Sequence, residues 1–300
     1  MTPATVVPVT YKAISSVTLM PKIDTARLFG DAAAGTKSPI DIFFLNTNNI
    51  NKLYLNYPTE KPGKLPPELG AVVVLGYMSA VESYVRSIVT EVIRLDKKSR
   101  DAVSQKQVSF AAAFHLPPTM LPEALLEHTS LADAKELRNA ISTMIGLNNL
   151  PKDVITSMET FNKICHLRHC CVHRFGRLGT KNAIELGFDE HSELLERPFS
   201  PTLADIADIA DALQVTVKTI NNFLFWSILE RTFDSGDPSM IWQMNYAIDR
   251  DRFQKYYKPF ALKSIKPSSP SPKEIYLSFL RDNRQRLKRI RQNASMVQTK

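Results

Sequence analysis

Residues 200 to 224, SPTLADIADIADALQVTVKTINNFL, carry the clearest helical pattern in the chain. Apolar side chains recur there at alternating steps of three and four, which places them on one face of an α-helix. The stretch opens with Ser200 as a candidate N-cap before Pro201. The apolar seam consists of Leu203, Ile206, Ala210, Leu213, Val217, Ile220 and Leu224. Seven positions without a polar interruption predict a long helix packed on a core.

Two further long helices follow from the same pattern. One seam runs between Leu75 and Ile93, and the other begins near Pro151 and includes Phe161 and Cys165. Shorter helical segments occupy residues 98 to 147, and no convincing βαβ alternation is present. The sequence therefore predicts a mainly α fold, an antiparallel helical bundle over residues 71–233.

The two flanks of the predicted bundle differ from it in composition. Residues 1–70 contain scattered β-branched residues and end in YPTEKPGKLPPELG, which predicts an extended or partly β arm and a Pro/Gly-rich linker. We expect residues 234–300 to form an aromatic and basic C-terminal extension. The last 50 residues hold 13 Lys/Arg against 3 Asp/Glu, which suits either a phosphate backbone or a solvated basic tail.

The overall composition bounds the class of protein. The chain is 44% hydrophobic and 23% charged, as in ordinary globular proteins. Its start lacks the basic and apolar pattern of a secretory signal, and no segment has an unbroken apolar run long enough to span a membrane. Three cysteines within one short stretch are no disulfide framework. We therefore expect a cytoplasmic protein without a membrane association.

Two charged residues interrupt the apolar seams. Glu82 falls on the seam of the first long helix, and Arg168 falls on the seam of the second. Because an unpaired charge in a core is costly, the economical prediction is that the two side chains meet. The pair would either orient a functional arginine or serve as an ordinary interhelical ion pair.

Residues 167 to 177, LRHCCVHRFGR, concentrate chemically active side chains. Six potential metal ligands lie between Cys165 and His173, but a structural zinc site draws on two separated pairs, and the chain has no cysteine elsewhere. Cys170 and Cys171 are adjacent and lack the CxxC spacing of a redox couple. We expect no metal and no cofactor, and we expect the cysteines to pack within the helix.

Arg168 and His173 suggest a different chemistry. Five residues apart on a helix, they lie about 140° around and about 7.5 Å along the axis from each other, so both can face one cleft. An imidazole moves protons near neutral pH, and a guanidinium stabilises charge that develops on a phosphate. Together they suit metal-free cleavage of a phosphodiester by a ribose 2′-hydroxyl, which only RNA supplies.

Arg168 and His169, then three residues, then His173, followed by Gly176, resemble the Arg-x4-6-His motif of HEPN ribonucleases. In that family the residue after the arginine is commonly Asn, Asp or His, and His169 fits. The resemblance covers roughly residues 71–233. It implies that Arg168 stabilises the scissile phosphate, that His173 acts as general base or acid and that His169 assists. Glu82 would support Arg168.

The resemblance also implies a biological setting. HEPN ribonucleases commonly dimerise so that two motifs line one cleft, and their RNA product carries a 2′,3′-cyclic phosphate. Many are prokaryotic toxins or antiviral-defence effectors with a regulatory partner. Arg174, Arg177 and Lys181 follow the motif and would hold the RNA backbone, although a solvated basic turn explains them equally well.

Two other functions remain open from the sequence. A non-catalytic HEPN-like module would bind nucleic acid or mediate dimerisation, as the basic tail and the aromatic residues from Trp242 to Phe260 suggest. A plain helical scaffold would use Glu82 and Arg168 as a structural pair, and its folding would then depend on Arg168.

Overall fold

A computed structural model describes residues 11, 15, 19–31, 37–57, 63–127, 129, 131, 133–234 and 240–298. The chain forms two compact units, Met1–Thr36 and Lys37–Lys300. In the first unit the described residues are exposed and include one 3-10 turn, Ala26–Leu28. The second unit contains the described α-helices.

Helices account for most of the second unit's described residues, and the prediction of a mainly helical bundle is confirmed. A π-helical turn, Ile141–Ile145, follows the sixth helix. The α-helices are α1 Pro39–Leu55, α2 Pro67–Leu95, α3 Lys97–Val103, α4 Phe110–His115, α5 Leu121–Ala124, α6 Ala134–Ala140, α7 Lys152–Arg174, α8 Thr180–His191, α9 Leu203–Arg231, α10 Tyr246–Tyr257, α11 Pro272–Asp282 and α12 Arg284–Gln298.

The four longest helices, α1, α2, α7 and α9, pack side by side as a bundle. Gly70, near the start of α2, lies against the ring of Pro201, which precedes α9, and leaves no room for a Cβ atom. At the other end, Asp96 after α2 binds Arg231 at the end of α9. Helices α2 and α9 are therefore parallel. Thr216 of α9 donates a hydrogen bond to the Ser157 carbonyl of α7, which runs the opposite way.

We name the two ends of this bundle. The motif end is formed by residues 168–181 and 196–202, where α7 ends and α9 begins. The far end is formed by residues 94–101, 229–234 and 240–256, where α2 and α9 end and α10 packs. Arg168 lies eleven residues beyond Ser157, and Arg231 lies fifteen beyond Thr216 in the other direction. At about 1.5 Å per residue, roughly 40 Å separates the two arginines along the bundle.

The α9 seam forms the centre of the core, as its pattern predicts. Its residues from Ile206 to Leu224 are buried, and only Leu203 is partly exposed. The expected N-cap at Ser200 is two residues early. Thr202 is the cap: its hydroxyl accepts from the Asp205 backbone N–H at 3.1 Å, and the Asp205 carboxylate accepts from the Thr202 backbone N–H at 2.7 Å. This reciprocal capping box fixes the start of α9.

The predicted extended or partly β arm is wrong for residues 39–55, which form α1. Ser38 caps this helix by accepting from the Asp41 backbone N–H, and Pro39 occupies its first turn. Phe43 and Phe44 are buried in the core, with Phe43 against Tyr84 of α2. Residues 1–10, 12–14, 16–18, 32–36 and 58–62 of the predicted arm lie outside the described residues.

The expected boundary after residue 233 also differs from the structure. Trp242, Phe253 and Tyr276 are fully buried in the same core as α2 and α9, and their rings contact one another. Tyr276 donates a hydrogen bond to the buried carboxylate of Asp249. Because these aromatic residues are core residues, α10 and α11 belong to the bundle rather than to an extension, and the basic α12 follows them.

One described helix, α2, is long and apolar enough by composition to cross a membrane. More than half of its most apolar window is buried inside the protein, where Val74, Ile88 and Val92 pack in the core.

Candidate functional site

The end of α7 brings Arg168, His169 and His173 to the surface. The α7 seam is buried at Val154, Met158, Phe161 and Cys165, whereas the next seam positions, Arg168 and Val172, are half-buried and exposed. The apolar core therefore ends before the helix does. Arg168 interrupts the seam at the place where the helix leaves the core, so its charge is not a buried one.

The predicted meeting of Glu82 with Arg168 is wrong. Glu82 forms an ion pair at 3.0 Å with Arg86, one turn along α2, and Arg86 also donates to the carbonyls of Leu126 and Thr129. Glu82 thus helps to hold the segment after α5 against α2.

The register of the helices explains this difference. Tyr84 donates to Asn221, and Thr216 donates to Ser157, which fixes the heights of α2 and α7 against α9. With about 1.5 Å per residue, Glu82 stands near the start of α7, roughly 20 Å along the axis from Arg168. A supporting role for Glu82 at the site is therefore excluded by distance.

His169 and His173 form a close pair one helical turn apart. Their ring centroids lie 4.4 Å from each other with the planes tilted by 50°. His173 is exposed and His169 is half-buried beside Arg168. Within the described ranges, no hydrogen bond or ion pair engages the Arg168 guanidinium. The site therefore presents a cation and two imidazoles whose polar groups are available to a ligand.

The environment of His169 favours its neutral form. Burial lowers the pKa of His169 below its ordinary value of 6.5, and the positive charges of His173, Lys181 and Arg168 lower it further. A neutral imidazole at neutral pH can accept a proton, which a charged one cannot. The pair therefore includes one nitrogen base ready for proton transfer.

Two consecutive residues in the left-handed region end α7. Phe175 has φ 52° and Gly176 has φ 83°, a conformation that costs a glycine little and a phenylalanine more. The Gly176 N–H donates to the Cys170 carbonyl at 3.1 Å, and the Gly176 carbonyl accepts from the Phe199 N–H at 2.8 Å. The end of α7 is thereby tied to the segment before α9, and Phe175 is left 82% exposed.

The three residues expected to hold an RNA backbone differ in their availability. Arg174 forms an ion pair with Glu196, and Arg177 donates to the Glu196 carbonyl at 3.0 Å. Lys181, in the first turn of α8, is exposed and makes no ion pair with the part of the chain that is described. The structure therefore brings Lys181 to the histidines with its charge available, and it uses Arg174 and Arg177 to shape the turn.

The cysteines pack within the helix, as predicted. Cys165, Cys170 and Cys171 are buried and unpaired. Burial raises the pKa of the Cys165 thiol to about 12 and that of Cys171 to about 11, which keeps both thiols protonated and unreactive at neutral pH. No group of three or more His, Cys, Asp or Glu side chains within the described ranges is placed to hold a metal ion.

Sequence reasoning missed the polar groups that orient His166. Its ring nitrogens lie 3.4 Å from the Asn162 amide nitrogen and 3.3 Å from the Asn182 amide oxygen. Asn182 is buried where α8 packs on α7, so this network positions the first turn of α8, which carries Lys181. The four-residue step from Asn162 to His166 is a sequence signal for the first contact, whereas nothing local signals the second.

The fold and the site define a mainly helical bundle with a cationic, histidine-bearing helix end. No family model, no curated protein and no solved structure matches the chain.

Proposed function

We propose that the protein is a metal-independent RNA endonuclease of the HEPN type. The observation that carries the proposal is the pairing of His169 and His173, with ring centroids 4.4 Å apart, beside an Arg168 that has no partner in the described structure. Lys181 adds a second available charge nearby. A phosphodiester needs a cation for its phosphate and groups that take up and deliver protons, and these side chains supply both.

The proposed chemistry is an internal transfer on RNA. One imidazole removes the proton from a ribose 2′-hydroxyl, and the 2′-oxygen attacks the neighbouring phosphorus. The bond from phosphorus to the 5′-oxygen breaks, and a protonated imidazole delivers a proton to that oxygen. The products are a 2′,3′-cyclic phosphate and a 5′-hydroxyl. Arg168 would stabilise the charge that grows on the phosphate oxygens, and His173 would act as the base or the acid.

A homodimer is part of this proposal. One base and one acid are needed on opposite sides of the phosphorus, and His169 and His173 of one chain stand on the same side of α7. A second copy that faces the first would supply the other imidazole. Exposed apolar side chains at the end of α7 and on the neighbouring α8 favour such a contact: Val172, Phe175, Ile184 and Phe188. A toxin or antiviral-defence role in the cytoplasm, with a regulatory partner, is proposed from the resemblance alone.

The test is cleavage of RNA in the presence of EDTA. Purified protein and its His173→Ala variant are incubated with total RNA and with single-stranded oligonucleotides, and product ends are analysed by mass spectrometry. We expect cyclic phosphate ends from the unchanged protein and none from the variant. His191→Ala is the matched control, because the His191 ring makes its hydrogen bond to the Gly187 carbonyl of its own helix. Cleavage that requires a divalent metal, or that survives His173→Ala, contradicts the mechanism.

A non-catalytic RNA-binding module is the second candidate. The observation that favours it is the concentration of exposed basic side chains in α3 and α12, away from the motif. This function would be selected over the enzyme if the unchanged protein binds RNA without cleaving it and if His173→Ala leaves the RNA affinity unchanged.

A further inference from the structure

A large cationic cavity lies at the far end of the bundle, outside the motif. Its volume is about 680 Å³, and seven lysines and arginines line it against two aspartates. Helix α3 and the end of α2 that precedes it form one wall, and α10 forms another. An excess of positive charge in a concave surface concentrates the field and attracts anions.

The base of this cavity is built around the nearly buried Arg231. The Arg231 side chain is 12% exposed, and its guanidinium binds Asp96 at 2.6 Å and the carbonyls of Ile145 and Gly146 at 2.8 and 2.7 Å. Arg100 donates to the Arg94 carbonyl at the end of α2. Because Asp96 is committed to Arg231, it does not neutralise the other cations. Arg94 and Arg252 are likewise paired, with Glu91 and Asp249. The positive charge of the cavity therefore comes from the remaining cations, Lys97, Lys98, Arg100 and Lys255.

Three lysines of the cavity are available to a ligand. Lys97 and Lys98 in the first turn of α3 and Lys255 on α10 are exposed, and none makes a hydrogen bond or ion pair with the residues that the structure covers. Ammonium groups on flexible stems bind phosphate as point charges.

An exposed aromatic pair lies on α4, shortly before a segment that binds the cavity wall. Phe110 and Phe114 of α4 are 83% and 71% exposed, and their rings stack with centroids 5.8 Å apart and planes at 22°. The segment after α4 is fixed to the cavity wall, because Arg94 Nε donates to the Thr119 carbonyl at 2.9 Å. Two large apolar rings that face water gain free energy by stacking on bases.

We infer that the far end is a second RNA-binding site, which holds single-stranded RNA with phosphates on Lys97, Lys98 and Lys255 and bases on Phe110 and Phe114. The inference rests on the proposed function for the identity of the ligand. Available cations beside exposed aromatic rings are the combination by which proteins hold single strands without reading their sequence. Since the far end lies roughly 40 Å from Arg168, the preferred substrate is a strand long enough to reach both ends.

The experiment measures binding and cleavage separately in the full chain. Fluorescence anisotropy on the His173→Ala protein follows a long single-stranded RNA over a range of salt concentrations. The triple substitution of Lys97, Lys98 and Lys255 by Gln is compared with the same charge loss at Lys52, Lys135 and Lys163, which are exposed elsewhere. We expect the far-end triple variant to bind on the order of tenfold more weakly, with a salt slope smaller by roughly two, and the control triple variant to bind nearly as before.

The aromatic pair is tested in the same assay. Phe110→Ala with Phe114→Ala should weaken binding roughly tenfold or more and leave the salt slope unchanged, since stacking releases no counterions. In the active protein, both far-end variants should slow cleavage of the long RNA and leave cleavage of a dinucleotide unchanged.

The outcomes separate this inference from the proposed function. Unchanged RNA affinity in both far-end variants overturns the second site, whatever the cleavage result. The exposed rings of Phe110 and Phe114 would then serve a contact with another protein. Weakened affinity in those variants without any cleavage by the unchanged protein supports the second site and refutes the nuclease. Matching melting temperatures for all variants show that the losses are not due to unfolding.

Discussion

The two ends of the bundle each place an arginine near the end of a long helix, and the two arginines have opposite surroundings. Arg231 at the far end is nearly buried and binds Asp96, Ser99 and two carbonyls. Arg168 at the motif end is half-exposed and has no polar partner among the described residues. The first guanidinium holds helices together because its donors are satisfied by protein. The second is available for a ligand because its donors are not.

Removal of the Arg231 side chain should have the largest effect on stability. Arg231→Met leaves the Asp96 carboxylate buried without its cation and two carbonyls without a donor, and we expect a loss of about 3–5 kcal/mol in the free energy of unfolding. Denaturant unfolding measures it. Asp96→Asn serves as the companion variant, and the combined substitution should cost less than the sum of the two, because the pair is removed together. Additive costs would show that the two side chains do not interact.

A smaller effect is expected from the helix cap at the motif end. Thr202→Ala removes the hydroxyl that accepts from the Asp205 N–H, and we expect a loss of about 1 kcal/mol. Thr202→Ser, which keeps the hydroxyl, should retain most of the stability.

The same cap gives a dependence on pH. The hydrogen bonds from Thr202 lower the pKa of Asp205, so the stabilisation they give is complete above the ordinary pKa of aspartate and is lost as the pH falls through the lowered value. Thr202→Ala should raise the Asp205 pKa toward that ordinary value. An NMR titration of Asp205 that shows no such rise would contradict the assignment of the cap.

The smallest effect concerns the pKa of His169. Lys181→Gln removes one of the positive charges that disfavour the imidazolium, so the His169 pKa should rise toward its ordinary value, while burial continues to lower it. Since the folded-state pKa is lowered, the neutral histidine stabilises the fold above its unfolded-state pKa, and this contribution is lost as the pH falls. NMR titration of the His169 ring measures the midpoint, with Lys163→Gln as control. An unchanged midpoint would place Lys181 too far away to act.

Much of the central bundle follows from the sequence. The α9 and α7 seams predict helices that the structure confirms, because apolar side chains at alternating steps of three and four share one face only in an α-helix. Helix α1 was missed since its apolar residues alternate with asparagines, which favour turns, and tertiary packing of Phe43 and Phe44 overrides that preference. The sequence predicts an extension for the aromatic residues after 240, because composition alone does not show that they pack into the core of the bundle.

The candidate site was predictable in part. The positions of Arg168, His169 and His173 on a helix end follow from local spacing. Their partners do not, since register between helices is set by packing. Glu82 is displaced from Arg168 by about four turns of helix, and Arg174 pairs with Glu196 through a turn that no local pattern specifies. The far-end cavity joins segments from α2, α3, α9 and α10, so its charge is visible only in the folded chain.

The most direct test of the account is the Arg168→Ala variant, measured for both RNA cleavage in EDTA and free energy of unfolding. We predict that cleavage falls by at least about a hundredfold, since a preorganised phosphate contact is lost. The free energy of unfolding should change by no more than about 0.5 kcal/mol, because no bond within the described protein is lost. Retained cleavage, or an unfolding cost as large as that of Arg231→Met, would contradict the account.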